Sequence, residues 1–243
     1  MSSFTTDVFE GKIIQSSADK REYRHITLAN QLEVMLVSHP DTEKSACCCD
    51  VKVGSVSDPK EFPGLAHFLE HLLFMGTTEY PIENEYSEFL SKHGGMSNAY
   101  TAQENTVYYF DVLSDHLEEA VLRFASFFKC PTFSVESTAR EMNAVDSENS
   151  KNLQSDLWRV MQLVKSLAKK DHPVNAFSTG NLDTLGGIRE DGKTARECCI
   201  EFHKKYYSSN VMKVSIYGKE SLDELQAYAE KSFNGVLNQN LLP

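Results

Sequence analysis

Between residues 65 and 75 almost every position is apolar: Leu65, Ala66, Phe68, Leu69, Leu72, Leu73, Phe74 and Met75, interrupted only by His67, Glu70 and His71. Pro63-Gly64 stands where a helix would start and Gly76 where it would stop. The spacing predicts a helix over about 64–75, apolar almost all round and therefore buried. Further helices are predicted at about 83–92, 115–128, 194–206 and 221–233, the last opened by a capping box over Ser221-Leu222-Asp223-Glu224. The stretch from about 134 to 170 is rich in helix formers and holds neither Pro nor Gly, so it reads as one long helix or two broken pieces. Strand patterns fall at about 22–28, 31–37, 46–55, 97–102, 106–113 and 211–217. Gly94-Gly95 ends a helix and releases the chain into a hairpin over the fourth and fifth of these.

Hairpins interleaved with helices predict an α+β layered domain, with a mainly antiparallel mixed sheet and helices packed on one face. Neither composition break nor repeat nor low-complexity segment divides the chain, so residues 1–243 read as a single domain.

His67, Glu70 and His71 spell H-x-x-E-H. On a helix, His67 and His71 lie one turn apart and their imidazoles can reach one metal ion, while Glu70 shares that face. A carboxylate beside a two-histidine metal site can take a proton from a bound water; the order is the reverse of H-E-x-x-H, with the same parts. A metal-free, hydrogen-bonded core cluster is the bland alternative, and the apolar surroundings weigh against it because three ionisable groups there are costly without partners. A catalytic zinc needs a third protein ligand. In the long helical stretch, Glu141 and Glu148 are two turns apart on one face, and Asn152 continues that stripe. One could ligate and the other support; a solvated acidic face has the same spacing.

The run from Gly64 to Thr77 resembles the zinc-site helix of the pitrilysin family of inverted zincins. The likeness extends over nearly the whole chain: Asp19–Arg24, Gly54–Pro59, Tyr80-Pro81, Asn84–Ser87, Ser97–Tyr100, Tyr108–Val112, Arg140-Glu141, Asn143–Glu148 and Tyr206–Asn210. The resemblance implies a zinc endopeptidase with His67, His71 and Glu148 as ligands of one Zn(2+) per chain, Glu70 as general base and Glu141 as a carboxylate supporting the ligands. Ser97, Asn98, Ala99 and Tyr100 would form the edge strand along which a peptide aligns, and Phe74, Ala99, Tyr100 and Trp158 would line the pocket beside the scissile bond. Leu69 stands where some members carry Cys. The implied substrates are short, partly unfolded peptides such as insulin-like ones. The family fold encloses substrate between two halves, so the resemblance also implies a longer protein whose C-terminal half is missing here. A peptide-binding or structural subunit without turnover is the alternative class.

Composition adds bounds. A hydrophobic content of 41% and a charged content of 24% are those of an ordinary soluble globular protein. The net charge of −11 argues against nucleic-acid binding. No apolar run approaches the roughly 20 residues of a membrane span. Met1–Asp7 lacks a basic region followed by an apolar stretch, so no secretory leader is expected. Cys47, Cys48, Cys49, Cys130, Cys198 and Cys199 contain no C-x-x-C, and strand neighbours point to opposite faces. They read as reduced, mostly buried thiols of a cytoplasmic protein. The oligomeric state is left open, a homo-oligomer included.

Overall fold

The computed structural model describes residues 4–9, 11 and 13–242. Residues 1–3 of the leader reading and Pro243 lie outside them. Seven strands form one sheet: β1 (Thr5–Val8), β2 (Glu22–Leu28), β3 (Glu33–Ser38), β4 (Lys44–Val51), β5 (Met96–Thr101), β6 (Thr106–Leu113) and β7 (Met212–Gly218). Their order is β1-β2-β3-β7-β4-β6-β5. Among the described residues only β3–β7 is parallel; every other pairing is antiparallel. The sheet is thus mixed and mainly antiparallel, with β5 at one edge.

Period-two alternation decides which face is covered. Ile26, Leu28, Val34, Leu36, Cys47, Cys49, Tyr108, Phe110, Val112, Val214 and Ile216 are buried on one face, whereas Tyr23, His25, Met35, Cys48, Ser215 and Tyr217 are only half-buried on the other. The helices are α1 (Leu65–Leu73), α2 (Glu85–Lys92), α3 (Leu117–Lys129), α4 (Val135–Asn152), α5 (Asp156–Ser166), α6 (Leu182–Leu185), α7 (Ala195–Tyr206) and α8 (Leu222–Phe233). An aromatic cluster of Phe124, Phe127 and Phe128 on α3 against Tyr108 and Phe110 on β6 forms the middle of the core.

Several expectations shift. The strand expected at 31–37 starts at Glu33, because Gln31 turns with a φ of 67°. The strand expected at 46–55 runs Lys44–Val51; Val53 folds back on Val51 and a 3-10 turn follows at Ser55–Ser57. The long helical stretch breaks after Asn152, because Ser155 adopts an extended backbone and opens α5 as its N-cap. β1 and α6 are additions. The expected capping box at Ser221 is present, its side chain taking the Glu224 N–H. All six cysteines are free, and four of them, Cys47, Cys49, Cys198 and Cys199, are buried. No helix among the described residues is long and apolar enough to cross a membrane.

Candidate metal centre

α1 carries the polar stripe, and its N-terminus is fixed from outside the helix. Asp58 accepts the Gly64 and Ala66 N–H groups, each at 2.8 Å, satisfying donors that a helix start leaves open. Gly64 has φ +93°, a conformation that suits glycine, and its backbone abuts Gly180 so closely that a Cβ would sit 2.3 Å from the Gly180 nitrogen. Seven of the nine α1 residues are buried: Leu65, Ala66, Phe68, Leu69, Glu70, Leu72 and Leu73. The helix packs against β5, α4 and α7. His67 and His71 face the same way from consecutive turns, with ring centroids 4.8 Å apart.

α4 brings Glu148 to this pair. Its Oε2 lies 3.6 Å from Nε2 of His67 and 3.6 Å from Nε2 of His71. One ligand atom from each of the three lies within 4.8 Å of the others, close enough to hold a metal ion. The other ring nitrogens are occupied: Nδ1 of His67 is 2.6 Å from the Thr179 carbonyl, and Nδ1 of His71 is 3.0 Å from Glu141 Oε2. Such contacts set the tautomer so that Nε2 presents its lone pair. Two imidazole nitrogens and a carboxylate oxygen, with their supporting contacts, suit a divalent metal that takes nitrogen and oxygen ligands.

Glu70 sits beside the trio and is only 6% exposed. Its Oε2 accepts the Thr101 hydroxyl at 2.5 Å. Burial pushes the Glu70 carboxyl above the usual range, and His67, Thr101 and His71 pull against that. For His71, burial alone would depress the imidazole, but Glu141 and Glu148 outweigh it and hold the pKa up at about 9. Glu148 is held below the ordinary value chiefly by its contact with His71. A proton and a cation therefore compete for the space between His71 and Glu148.

The three groups and Glu70 open into a cavity of about 540 Å³. All eleven site residues expected from the sequence line it: His67, Glu70, His71, Phe74, Ser97, Asn98, Ala99, Tyr100, Glu141, Glu148 and Trp158. Edge strand β5 forms one wall. Ser97, Ala99 and Thr101 turn toward the helices, and Asn98 and Tyr100 outward. Phe74 joins the wall to the core through Tyr86, Tyr108 and Phe127. Met75, Thr101 and Thr179 also line the cavity and were not foreseen. Thr101 lies within the predicted strand and its alternation places it with Ala99, so the strand pattern could have found it; Thr179 acts through its backbone and leaves no side-chain signal.

A family model described as "Insulinase (Peptidase family M16)" matches residues 33–171, and one described as "Peptidase M16 inactive domain" matches residues 196–243. The chain is 49% identical over 242 residues to insulin-degrading enzyme of Mus musculus, covering 99% of this chain and 24% of that protein. It is 48% identical over 233 residues to putative zinc protease mug138 of Schizosaccharomyces pombe, covering 96% and 24%. The structure superposes on crystalline pitrilysin with a TM-score of 0.94 at 37% identity, covering 98% of this chain and 25% of that one. The chain spans about a quarter of the length of the relatives it matches.

Proposed function

From the premise that this chain belongs to the insulinase family of peptidases, M16, we propose that it is the zinc-bearing domain of a metalloendopeptidase acting on short, partly unfolded peptides, insulin-like ones among them. The observation that carries the reading is the convergence of His67 Nε2, His71 Nε2 and Glu148 Oε2, with Glu70 alongside, at the foot of an edge strand. The ligands are His67, His71 and Glu148, for one zinc per chain. When bound, zinc supplies Lewis acidity that lowers the pKa of a water and polarises a carbonyl.

The chain's own groups do the rest. Glu70 takes a proton from the attacking water and delivers it to the leaving amine. Its partial desolvation raises its basicity, and the Thr101 hydroxyl fixes the carboxylate. Glu141 and the Thr179 carbonyl hold the two imidazoles in orientation. β5 offers its free edge to an extended peptide, which pairs through main-chain hydrogen bonds with little demand on sequence. Phe74, Ala99, Tyr100 and Trp158 contact the side chain beside the scissile bond.

The cavity is a wide-mouthed cleft, and the oxyanion that develops in peptide hydrolysis calls for a preorganised donor and for walls that exclude water. Loss of one such donor costs ~10²–10³ in rate. Because the chain spans about a quarter of the length of its relatives, we assign that donor and the water-excluding walls to a C-terminal half of the same protein. α5 and its C-cap Leu167 expose Leu157, Val160, Leu163, Val164 and Leu167, apolar surface of the kind that a partner covers.

A fluorogenic peptide tests this. The zinc-loaded chain should cleave it slowly, and addition of the C-terminal half should raise the rate. Zinc binding without cleavage in the presence of both halves would leave a non-catalytic peptide-binding subunit as the correct reading.

A further inference from the structure

α4 carries Glu148, yet of its 18 residues only Ser137, Thr138 and Val145 are buried. The first two lie near its start, more than two turns from Glu148. Close to the ligand the helix is held by buried Val145, by Met142 packed partly buried against the core and by the Glu141 contact with His71, none of which reaches the Thr179 carbonyl that orients His67.

The four residues 179–182 touch both ligand-bearing helices. Thr179 offers its carbonyl to His67 Nδ1 at 2.6 Å. Gly180, at φ +83°, lies against Gly64 at the start of α1. Its other side faces α4: a Cβ at Gly180 would stand 3.3 Å from Val145 Cγ1 and 3.0 Å from Leu185 Cδ1. Two residues on, the Leu182 N–H donates to Asp146 Oδ1 at 3.0 Å. One short segment is thus bonded to His67 itself on α1 and, on α4, to a residue two positions from Glu148.

We infer that residues 179–182 are a clamp that sets the separation of His67 and Glu148, and that Asp146 is the positioning residue closing it on α4. The inference rests on the reading of His67, His71 and Glu148 as zinc ligands. With the Asp146–Leu182 bond intact, α4 cannot slide or turn relative to the Thr179 carbonyl without breaking a hydrogen bond. With it removed, Val145, Met142 and the Glu141–His71 contact remain, but the turn of α4 that carries Glu148 loses its hydrogen bond to the segment that orients His67, and the ligand atoms sample separations that a metal with a fixed bond length does not accept.

The test uses the full chain and zinc alone. Affinity is read by competition with a chromophoric chelator, thermal unfolding is followed without zinc, and the ¹⁵N shifts of His67 report its tautomer. Asp146→Ala deletes the acceptor. Asp146→Asn keeps an acceptor but removes the charge. Leu182→Pro deletes the donor at the first position of α6, where proline is tolerated, after an Asn181 that is already extended. Asp146→Ala and Leu182→Pro should each weaken zinc binding about 10-fold, the lower end of what loss of such support costs. Asp146→Asn should restore it, and the His67 Nδ1 signal should broaden or shift in the two deletions only. Unchanged zinc affinity in both deletions would overturn the clamp. So would an Asp146→Asn loss equal to that of Asp146→Ala, since charge rather than the hydrogen bond would then be responsible. A wild-type chain that binds no zinc would instead sink the metal-site reading beneath it.

Discussion

The Nδ1 of His71 lies 3.0 Å from Oε2 of Glu141, and this contact leaves Nε2 of the same ring facing Glu148. Glu141 and Glu148 therefore serve one imidazole from opposite sides, one holding it and the other sharing its cation. Replacing Glu141 with Ala should free the ring and lower zinc affinity 10–100-fold while leaving the stoichiometry at one. Chelator competition measures this; an unaltered affinity would reduce Glu141 to a bystander.

Glu70 is not among the groups whose atoms converge on the metal position. Glu70→Gln should retain zinc and, in the assembled protein, cost on the order of 10²-fold or more in turnover. Thr101→Val should slow turnover by a smaller factor, and Thr101→Ser, which keeps the hydroxyl, should recover it. Peptide cleavage at the normal rate by zinc-loaded Glu70→Gln would exclude the base assignment.

His203 on α7 gives the fold a dependence on acid. The side chain is packed between Phe133 and Tyr207, and its Nε2 has no hydrogen-bond partner. Burial holds its pKa down at about 4. The unfolded chain takes up a proton near the ordinary value of about 6.5, whereas the folded chain refuses it until about 4. The stability conferred by the neutral ring is therefore fully present above about 6.5 and is lost as pH falls toward 4, in total on the order of 3 kcal/mol. Urea unfolding at neutral and acid pH should show a smaller pH difference in His203→Phe than in the wild type. Identical slopes would assign the acid sensitivity to other groups.

Much of this was legible in the residues. The apolar run around His67, Glu70 and His71 has the length, borders and periodicity of a buried helix, and α1 forms there. The hairpin of β5 and β6 follows from alternation and from the glycines before it. The spacing of Glu141 and Glu148 placed them on one face but could not say which way the face turns, because roughly seventy residues separate α4 from the histidines. The resemblance supplied that direction, and the folded chain brings the groups together. The break before α5 has no Pro or Gly to mark it; it comes from an extended Ser155 amid polar neighbours. β1 has four residues and buries only Thr5, too little for a periodic signal. The supports from Thr179 and the 179–182 segment are made by backbone atoms, which side-chain patterns do not report.

The central claim is that Glu148 completes a zinc site with His67 and His71. Zinc content and affinity of the purified chain, measured side by side for the wild type and Glu148→Gln, address it most directly. The expected result is one zinc per wild-type chain and a greatly weakened site in Glu148→Gln, with the circular dichroism of the two proteins alike. Undiminished zinc in the folded Glu148→Gln chain would contradict it.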